Sequence, residues 1–110
     1  MTVPRLLGSF APGTSGGPCH PLLVLLPSLG TTAAVWDGVV ARLRADRRTD
    51  AYRILRVDLP GHGASRAATE PFTVGELAEA VLAVVDEAGG GDFHVAGVSL
   101  GGAVALELAL

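Results

Sequence analysis

The stretch Gly97-Val98-Ser99-Leu100-Gly101 decides how this chain is interpreted. Apolar residues precede it and small residues follow it, which predicts a strand over 93–98, a tight turn, and a helix over 100–110. A side chain at position 97 or 101 would crowd the crossing of strand and helix, which gives a physical reason for glycine at both positions. Such a turn would lift the Ser99 hydroxyl above the sheet. An ordinary Gly/Ser turn before a helix is the alternative, and the rest of the chain decides between them.

Composition narrows the classes of function. The 110 residues are 49% hydrophobic and 17% charged, which predicts one small domain that buries most of its apolar surface. A net charge of −3 gives no electrostatic basis for binding nucleic acid or an anionic membrane. All eight basic residues are arginine, and without lysine the chain can form neither a P-loop nor a Schiff base.

Cysteine usage and hydropathy favour a cytoplasmic location. Cys19 is the only cysteine, so no disulfide can form within the chain, and the pair Cys19-His20 has no further ligands for a zinc site. No apolar run approaches the roughly 18 residues that a membrane span needs. Residues 1–11 have too short an apolar core for a signal peptide. We therefore expect a cytoplasmic protein.

Strand and helix patterns alternate along the chain. Residues 1–21 are predicted to be a flexible lead-in, since Gly, Pro and Ser crowd its second half. Leu22–Leu26, bounded by prolines, predicts a strand buried on both faces, and Ile54–Asp58 predicts a second strand. Helical spacing predicts one helix between these strands and another after a capping box of Thr73 and Glu76.

Three strands alternating with three helices predict an α/β fold of three layers with a parallel sheet. Binding sites in such sheets form at the carboxyl ends of the strands. The loop Pro27–Thr31, the loop Asp58–Gly63 and the Ser99 turn each follow a strand, so all three are expected at one rim.

The order of these motifs over residues 22–110 resembles the N-terminal half of an α/β-hydrolase. The matching features are an apolar strand, S-L-G at 28–30, a helix with Trp36, D-L-P-G-H-G at 58–63, and G-V-S-L-G-G at 97–102. Within that superfamily, S-L-G-T-T at 28–32 followed by V-W-D at 35–37 is similar to the 3-oxoadipate enol-lactonases.

The resemblance implies a mechanism in which Ser99 attacks a lactone or ester carbonyl and forms an acyl-enzyme. The backbone N–H groups of Leu29 and Leu100 would form the oxyanion hole. Many family members have His-Gly where this chain has Pro27-Ser28, which a hole built from backbone donors can tolerate. Trp36 would either contact substrate or pack beneath the loop. The resemblance implies no metal ion and no organic cofactor.

The family's catalytic acid and base, and the lid that selects the substrate, lie beyond the position that matches Leu110. We therefore expect the domain over 22–110 to be truncated in the helix after Ser99 and inactive alone. A half-sheet also has open edges. It is expected to associate through those edges or with a missing C-terminal half.

The three histidines differ in their suitability as the base. His20 lies in the lead-in, and His94 lies at the wrong end of its strand, about 16 Å from Ser99 at the usual rise. His62 lies at the correct rim, where the resemblance makes it part of a structural turn anchored by Asp58. A Ser99–His62–Asp58 relay is the alternative.

The predicted function is hydrolysis of a small-molecule ester or lactone, without nucleic acid or membrane partners. An esterase, an acyltransferase or a C–C bond hydrolase on the same fold would use the same serine turn. A haloalkane dehalogenase is disfavoured because residue 99 is not Asp. A non-catalytic remnant or interaction module forms a second class. Dinucleotide binding is the weakest hypothesis. The motif G-x-G-x-x-G needs a second glycine at the position that Ser99 occupies in residues 97–102.

Overall fold

The computed structural model describes residues 3–11 and 20–110, so Cys19 lies outside the described residues. In chain order the described elements are β1 (Gly8–Phe10), β2 (Leu22–Leu26), a 3₁₀ turn (Ala33–Trp36), α1 (Asp37–Ala45), β3 (Arg53–Val57), α2 (Val74–Glu87), β4 (His94–Gly97) and α3 (Leu100–Ala109). Within these ranges, no helix combines the length and the apolar character needed to cross a bilayer.

The described strands form one sheet in the order β1-β3-β2-β4. The central strand β2 is parallel to β3 and to β4, as the sequence predicts for these three strands. Strand β1 adds an antiparallel edge, with Gly8 opposite Val57 and Phe10 opposite Leu55. The prediction of a flexible lead-in is therefore wrong over Gly8–Phe10. A three-residue strand shows no hydrophobic period, and its pairing with β3 alone defines it.

The two faces of β2 pack against different helices, because side chains alternate along a strand. Leu22, Val24 and Leu26 belong to the larger core, which α2 and Val104 of α3 complete. Leu25 belongs to a smaller core with Ile54 and with Val40 of α1. A strand that is buried on both faces needs the continuous apolar run that the sequence shows. The fold is thus a three-layer α/β arrangement, as predicted.

Helix α2 begins as the sequence predicts. The Thr73 hydroxyl accepts a hydrogen bond from the Glu76 N–H at 3.0 Å, and the Glu76 carboxylate accepts one from the Thr73 N–H at 2.9 Å. This capping box satisfies two backbone donors that a helix start otherwise leaves unpaired. Behind it, apolar side chains at helical spacing pack against the larger core, with Leu77, Val81 and Val85 fully buried and Leu82 exposed.

Candidate active site

The Ser99 turn has the strained geometry that distinguishes it from an ordinary turn. Ser99 lies between β4 and α3 with φ 56° and ψ −118°, and among the described residues it is the one non-glycine with positive φ. Such a conformation costs roughly 1–3 kcal/mol and persists only where its surroundings impose it. The strand–turn–helix unit predicted around Ser99 is therefore present.

The glycines beside Ser99 allow helix α3 to lie against the sheet. A Cβ at Gly97 would collide with the carbonyl oxygen of Gly101, and a Cβ at Gly101 would collide with the carbonyl oxygen of Leu26. A side chain at Gly101 would also come within 2.7 Å of the Pro27 carbonyl oxygen. The first turn of α3 therefore touches the end of β2, which places the Ser99 turn beside the loop that follows β2.

That loop makes a tight turn over residues 28–31. The Thr31 N–H donates to the Ser28 carbonyl oxygen at 3.2 Å, and the Thr31 hydroxyl donates to the same oxygen at 2.7 Å. The Leu29 side chain is 67% exposed at the tip of this turn. Leu100 is the first residue of α3, so its N–H has no acceptor within the helix. The structure thus brings Ser99, Leu29 and Leu100 to one rim.

His62 binds backbone on both sides of its ring. Its Nε2 accepts a hydrogen bond from the Gly30 N–H at 2.9 Å, and its Nδ1 lies 2.9 Å from the Pro60 carbonyl oxygen. A carbonyl can only accept, so Nδ1 carries the proton and the imidazole is neutral. Both nitrogens are occupied in the structure, which agrees with a structural role.

Asp58 is buried and holds the same loops together. Its Oδ1 accepts from the Ala33 N–H at 2.7 Å, and its Oδ2 accepts from the Ala64 N–H at 2.9 Å. A Cβ at Gly63 would collide with this carboxylate. Because neither carboxylate oxygen is bonded to His62, the alternative of a Ser99–His62–Asp58 relay is wrong for this structure.

The remaining residues considered from the sequence have other partners. His94 stacks on Tyr52, with ring centroids 6.1 Å apart, at the start of β4. The carbonyl oxygen of His20 accepts from Arg53 Nε at 3.3 Å. Trp36 packs against the smaller core, and its Nε1 is buried without a protein partner. This favours packing beneath the loop, while substrate contact by Trp36 stays a prediction.

Ser65, which the sequence motifs do not single out, links the loop after β3 to the segment before β1. The Ser65 hydroxyl donates to the Asp58 carbonyl oxygen at 2.7 Å and accepts from the Leu7 N–H at 2.8 Å. Its position two residues after the D-L-P-G-H-G motif was the available signal. Over the described ranges 3–11 and 20–110, no group of His, Cys, Asp and Glu side chains could hold a metal ion.

The pKa shifts resolved in the structure lie elsewhere. The Arg48 side chain and backbone N–H bond the Asp46 carboxylate and hold the pKa of that carboxyl below its ordinary value. Asp46 follows the C-terminal end of α1; its side chain is partly exposed and that of Arg48 is exposed. This pair is therefore a surface contact and supplies no acid or base to Ser99.

Comparison with known proteins agrees with this architecture. The chain is 46% identical over 91 residues to a pimeloyl-[acyl-carrier protein] methyl ester esterase of Aeromonas hydrophila, covering 82% of this chain and 32% of that relative. It is 36% identical over 90 residues to 3-oxoadipate enol-lactonase 1 of Acinetobacter baylyi, with the same two coverages. The chain thus spans about a third of the length of these curated relatives.

A solved structure and a family model lead to the same conclusion. The enol-lactonase of Burkholderia xenovorans LB400 superimposes with a TM-score of 0.79 at 32% identity, over 94% of this chain and 37% of that one. The model of the alpha/beta hydrolase family matches residues 23–110. The resemblance stated from the motifs, including that to enol-lactonases, is thereby confirmed, and this chain belongs to the alpha/beta hydrolase family.

Proposed function

We propose that this protein is a serine hydrolase that cleaves a carboxylic ester or lactone through an acyl-enzyme at Ser99. The observation that carries the proposal is the strained Ser99 turn with the Ser28–Thr31 loop packed beside it. If position 99 had only a structural role, glycine would adopt φ 56° with less strain than serine does. Membership of the family supports hydrolysis as the general class of reaction.

The chemistry follows from the order of groups at the rim. Ser99 Oγ adds to the carbonyl carbon while its proton moves to a base, and the carbonyl oxygen gains a negative charge. The N–H groups of Leu29 and Leu100 donate to that oxygen. The ester or lactone C–O bond then breaks, its oxygen takes up the proton, and water later releases the acyl group from Ser99. Loss of one oxyanion donor typically lowers kcat about 10²- to 10³-fold.

We infer that the base and its orienting acid are supplied by residues outside this sequence. His62 is bonded to backbone at both nitrogens, and His94 is stacked at the far end of β4. The relatives, of which this chain spans about a third, leave room for such residues. Activity is therefore expected from the longer protein and not from these 110 residues alone.

Two substrate classes are proposed for this serine. The S-L-G-T-T and V-W-D segments and the enol-lactonase relatives favour a carboxylated enol-lactone. The higher identity to a methyl ester esterase favours the methyl ester of an acyl chain as the second candidate. The lactone and the methyl ester require the same attack by Ser99 on a carbonyl carbon. In this proposal the lid selects between the two substrates.

Labelling with a fluorophosphonate tests the nucleophile. The natively expressed protein is measured by intact-mass spectrometry before and after the probe, together with Ser99→Ala and with Ser9→Ala, an exposed serine of β1. We expect one adduct in the wild type and in Ser9→Ala, and none in Ser99→Ala. An unlabelled wild type would instead favour the non-catalytic remnant or interaction module.

The substrate class is tested on protein that labels at Ser99. The specificity constant kcat/KM is measured for a carboxylated enol-lactone, an acyl methyl ester and a simple aryl ester. A preference for the lactone is expected. Ready cleavage of the simple esters with no turnover of the lactone would replace the lactonase proposal by an esterase.

A further inference from the structure

A hydrogen bond to the centre of the turn joins the two loops that frame the site. The Gly30 N–H, in the loop after β2, donates to His62 Nε2, in the loop after β3, at 2.9 Å. We propose that His62 is a positioning residue for the oxyanion hole, whose neutral imidazole holds the turn over 28–31 so that the Leu29 N–H can donate to the substrate oxygen. This rests on the proposed function, since it takes Leu29 as a donor.

A four-residue turn can take a type I or a type II form, and the bond to His62 fits only one of them. Gly30 has φ +83°, close to the value of about +80° at the third residue of a type II turn. Leu29 is not among the described residues with positive φ, which excludes the mirror-image type I′ turn. A flip of the Leu29–Gly30 peptide would convert type II to type I. The Gly30 N–H would then leave His62, and the Leu29 carbonyl oxygen would face the Nε2 lone pair.

The lone pair on Nε2 is fixed by the other side of the ring. Because Nδ1–H donates to the Pro60 carbonyl oxygen, Nε2 has no hydrogen and can only accept. Asp58 fixes the downstream end of the same segment through the Ala33 N–H at 2.7 Å. The turn is therefore held at its centre by an imidazole and at its end by a carboxylate, both from the loop after β3.

The expected effect falls on the chemical step. Oxyanion donors act on charge that develops in the transition state, so a disordered donor lowers kcat more than it raises KM. Removing a donor outright costs about 10²- to 10³-fold, and a donor that is oriented only part of the time should cost roughly 10- to 100-fold. A residue that served folding alone would lower the number of active molecules without changing kcat for each one.

Two variants at His62 separate these roles in the full-length protein. His62→Phe keeps a ring but offers no acceptor, and His62→Gln places an amide oxygen near the position of Nε2. Active sites are counted by fluorophosphonate titration, and kcat is expressed per titrated site. We expect kcat about 10- to 100-fold lower in His62→Phe with KM changed by no more than about threefold, and most of the rate restored in His62→Gln. His94→Phe, the matched histidine control, should keep the wild-type kcat.

A substitution at Gly30 tests the same hydrogen bond from the side of its donor. A Cβ at Gly30 would meet nothing within 4 Å, so Gly30→Ala adds no collision and penalises only the positive φ. Gly30→Ala should lower kcat with little change in KM, as His62→Phe does. In the double variant, the fold-loss in kcat should be smaller than the product of the two single fold-losses. Affinity for a trifluoromethyl ketone that forms a tetrahedral adduct should fall in parallel with kcat.

The outcomes distinguish the two proposals. A wild-type kcat per titrated site in both His62→Phe and Gly30→Ala would overturn the positioning role while leaving Ser99 as nucleophile. A His62→Gln variant as slow as His62→Phe would also overturn it and would point to proton transfer by the imidazole. Failure of the wild type to label at Ser99 would remove the proposed function and the positioning role together.

Discussion

Glycines at the rim of the sheet meet two different physical demands. Gly97 and Gly101 lack side chains because backbone carbonyl oxygens of α3 and β2 occupy the space where a Cβ would lie. Gly30 has open space around it and is required by its positive φ alone. The first demand concerns contact between elements and the second concerns local conformation. Substitutions at the two kinds of position should therefore fail in different ways.

Replacement of Gly101 should destabilise the fold far more than replacement of a helical glycine without close neighbours. Gly101→Ala forces α3 away from the Leu26 carbonyl oxygen, and we expect a loss of at least about 2 kcal/mol in the free energy of unfolding. Gly38→Ala in α1 meets nothing within 4 Å and should be neutral or stabilising by up to about 1 kcal/mol. Urea denaturation of both variants measures the difference. Equal stabilities would show that α3 does not depend on this close approach.

At the scale of single elements, the two capped helix starts differ in strength. Thr73 and Glu76 form a complete capping box at the start of α2, with both bonds at or below 3.0 Å. Thr32 caps the 3₁₀ turn through one longer bond to the Ala34 N–H, at 3.3 Å. Helix α2 also contributes more buried apolar side chains to the larger core than any other described element does. Its start should therefore matter more to stability.

The variant Thr73→Ala should lower the free energy of unfolding by about 1 kcal/mol, because it leaves the Glu76 N–H without its acceptor. Thr32→Ala is the matched control and should cost clearly less. Thermal unfolding followed by circular dichroism at 222 nm compares them. A Thr32→Ala variant with the larger loss would show that the loop after β2 limits the stability of the fold.

The sequence predicts elements well where one segment carries its own pattern. The apolar run of β2 and the helical spacing of apolar residues in α2 each predict a buried element from one segment alone. The structure contains both elements, and both pack into the core. Strand β1 could not be predicted, since Phe10 is its only large apolar residue and its definition comes from pairing with β3. The site shows the same division. The Ser99 turn follows from local glycines, whereas the Gly30–His62 bond joins residues 32 positions apart and leaves no local signal.

At the scale of the whole molecule, α3 and the edge strand β4 leave apolar surface uncovered in the described part of the chain. Leu106 on α3 is 72% exposed, and β4 pairs with β2 on only one side in the described sheet. An unpaired strand edge beside exposed apolar side chains favours association with another chain. Association through the sheet edge therefore remains our prediction for the 110-residue chain.

Self-association should depend on this surface and not on the opposite one. Leu106→Glu places a charge on α3, and we expect it to shift sedimentation of the 110-residue chain towards the monomer. Val39→Glu places the same charge on α1, where Val39 is 42% exposed, and should leave the association unchanged. A chain that sediments as a monomer without either substitution would contradict the prediction.

The backbone of Ser99 sets stability and chemistry against each other. Glycine at position 99 would release roughly 1–3 kcal/mol of conformational strain, offset in part by the greater freedom of glycine in the unfolded chain. A library selected only for thermal resistance would therefore tend to accumulate glycine at this codon and to lose the hydroxyl. Serine at 99 is expected to survive only where molecules are retained for turnover. Engineering for robustness would thus tend to remove the proposed nucleophile.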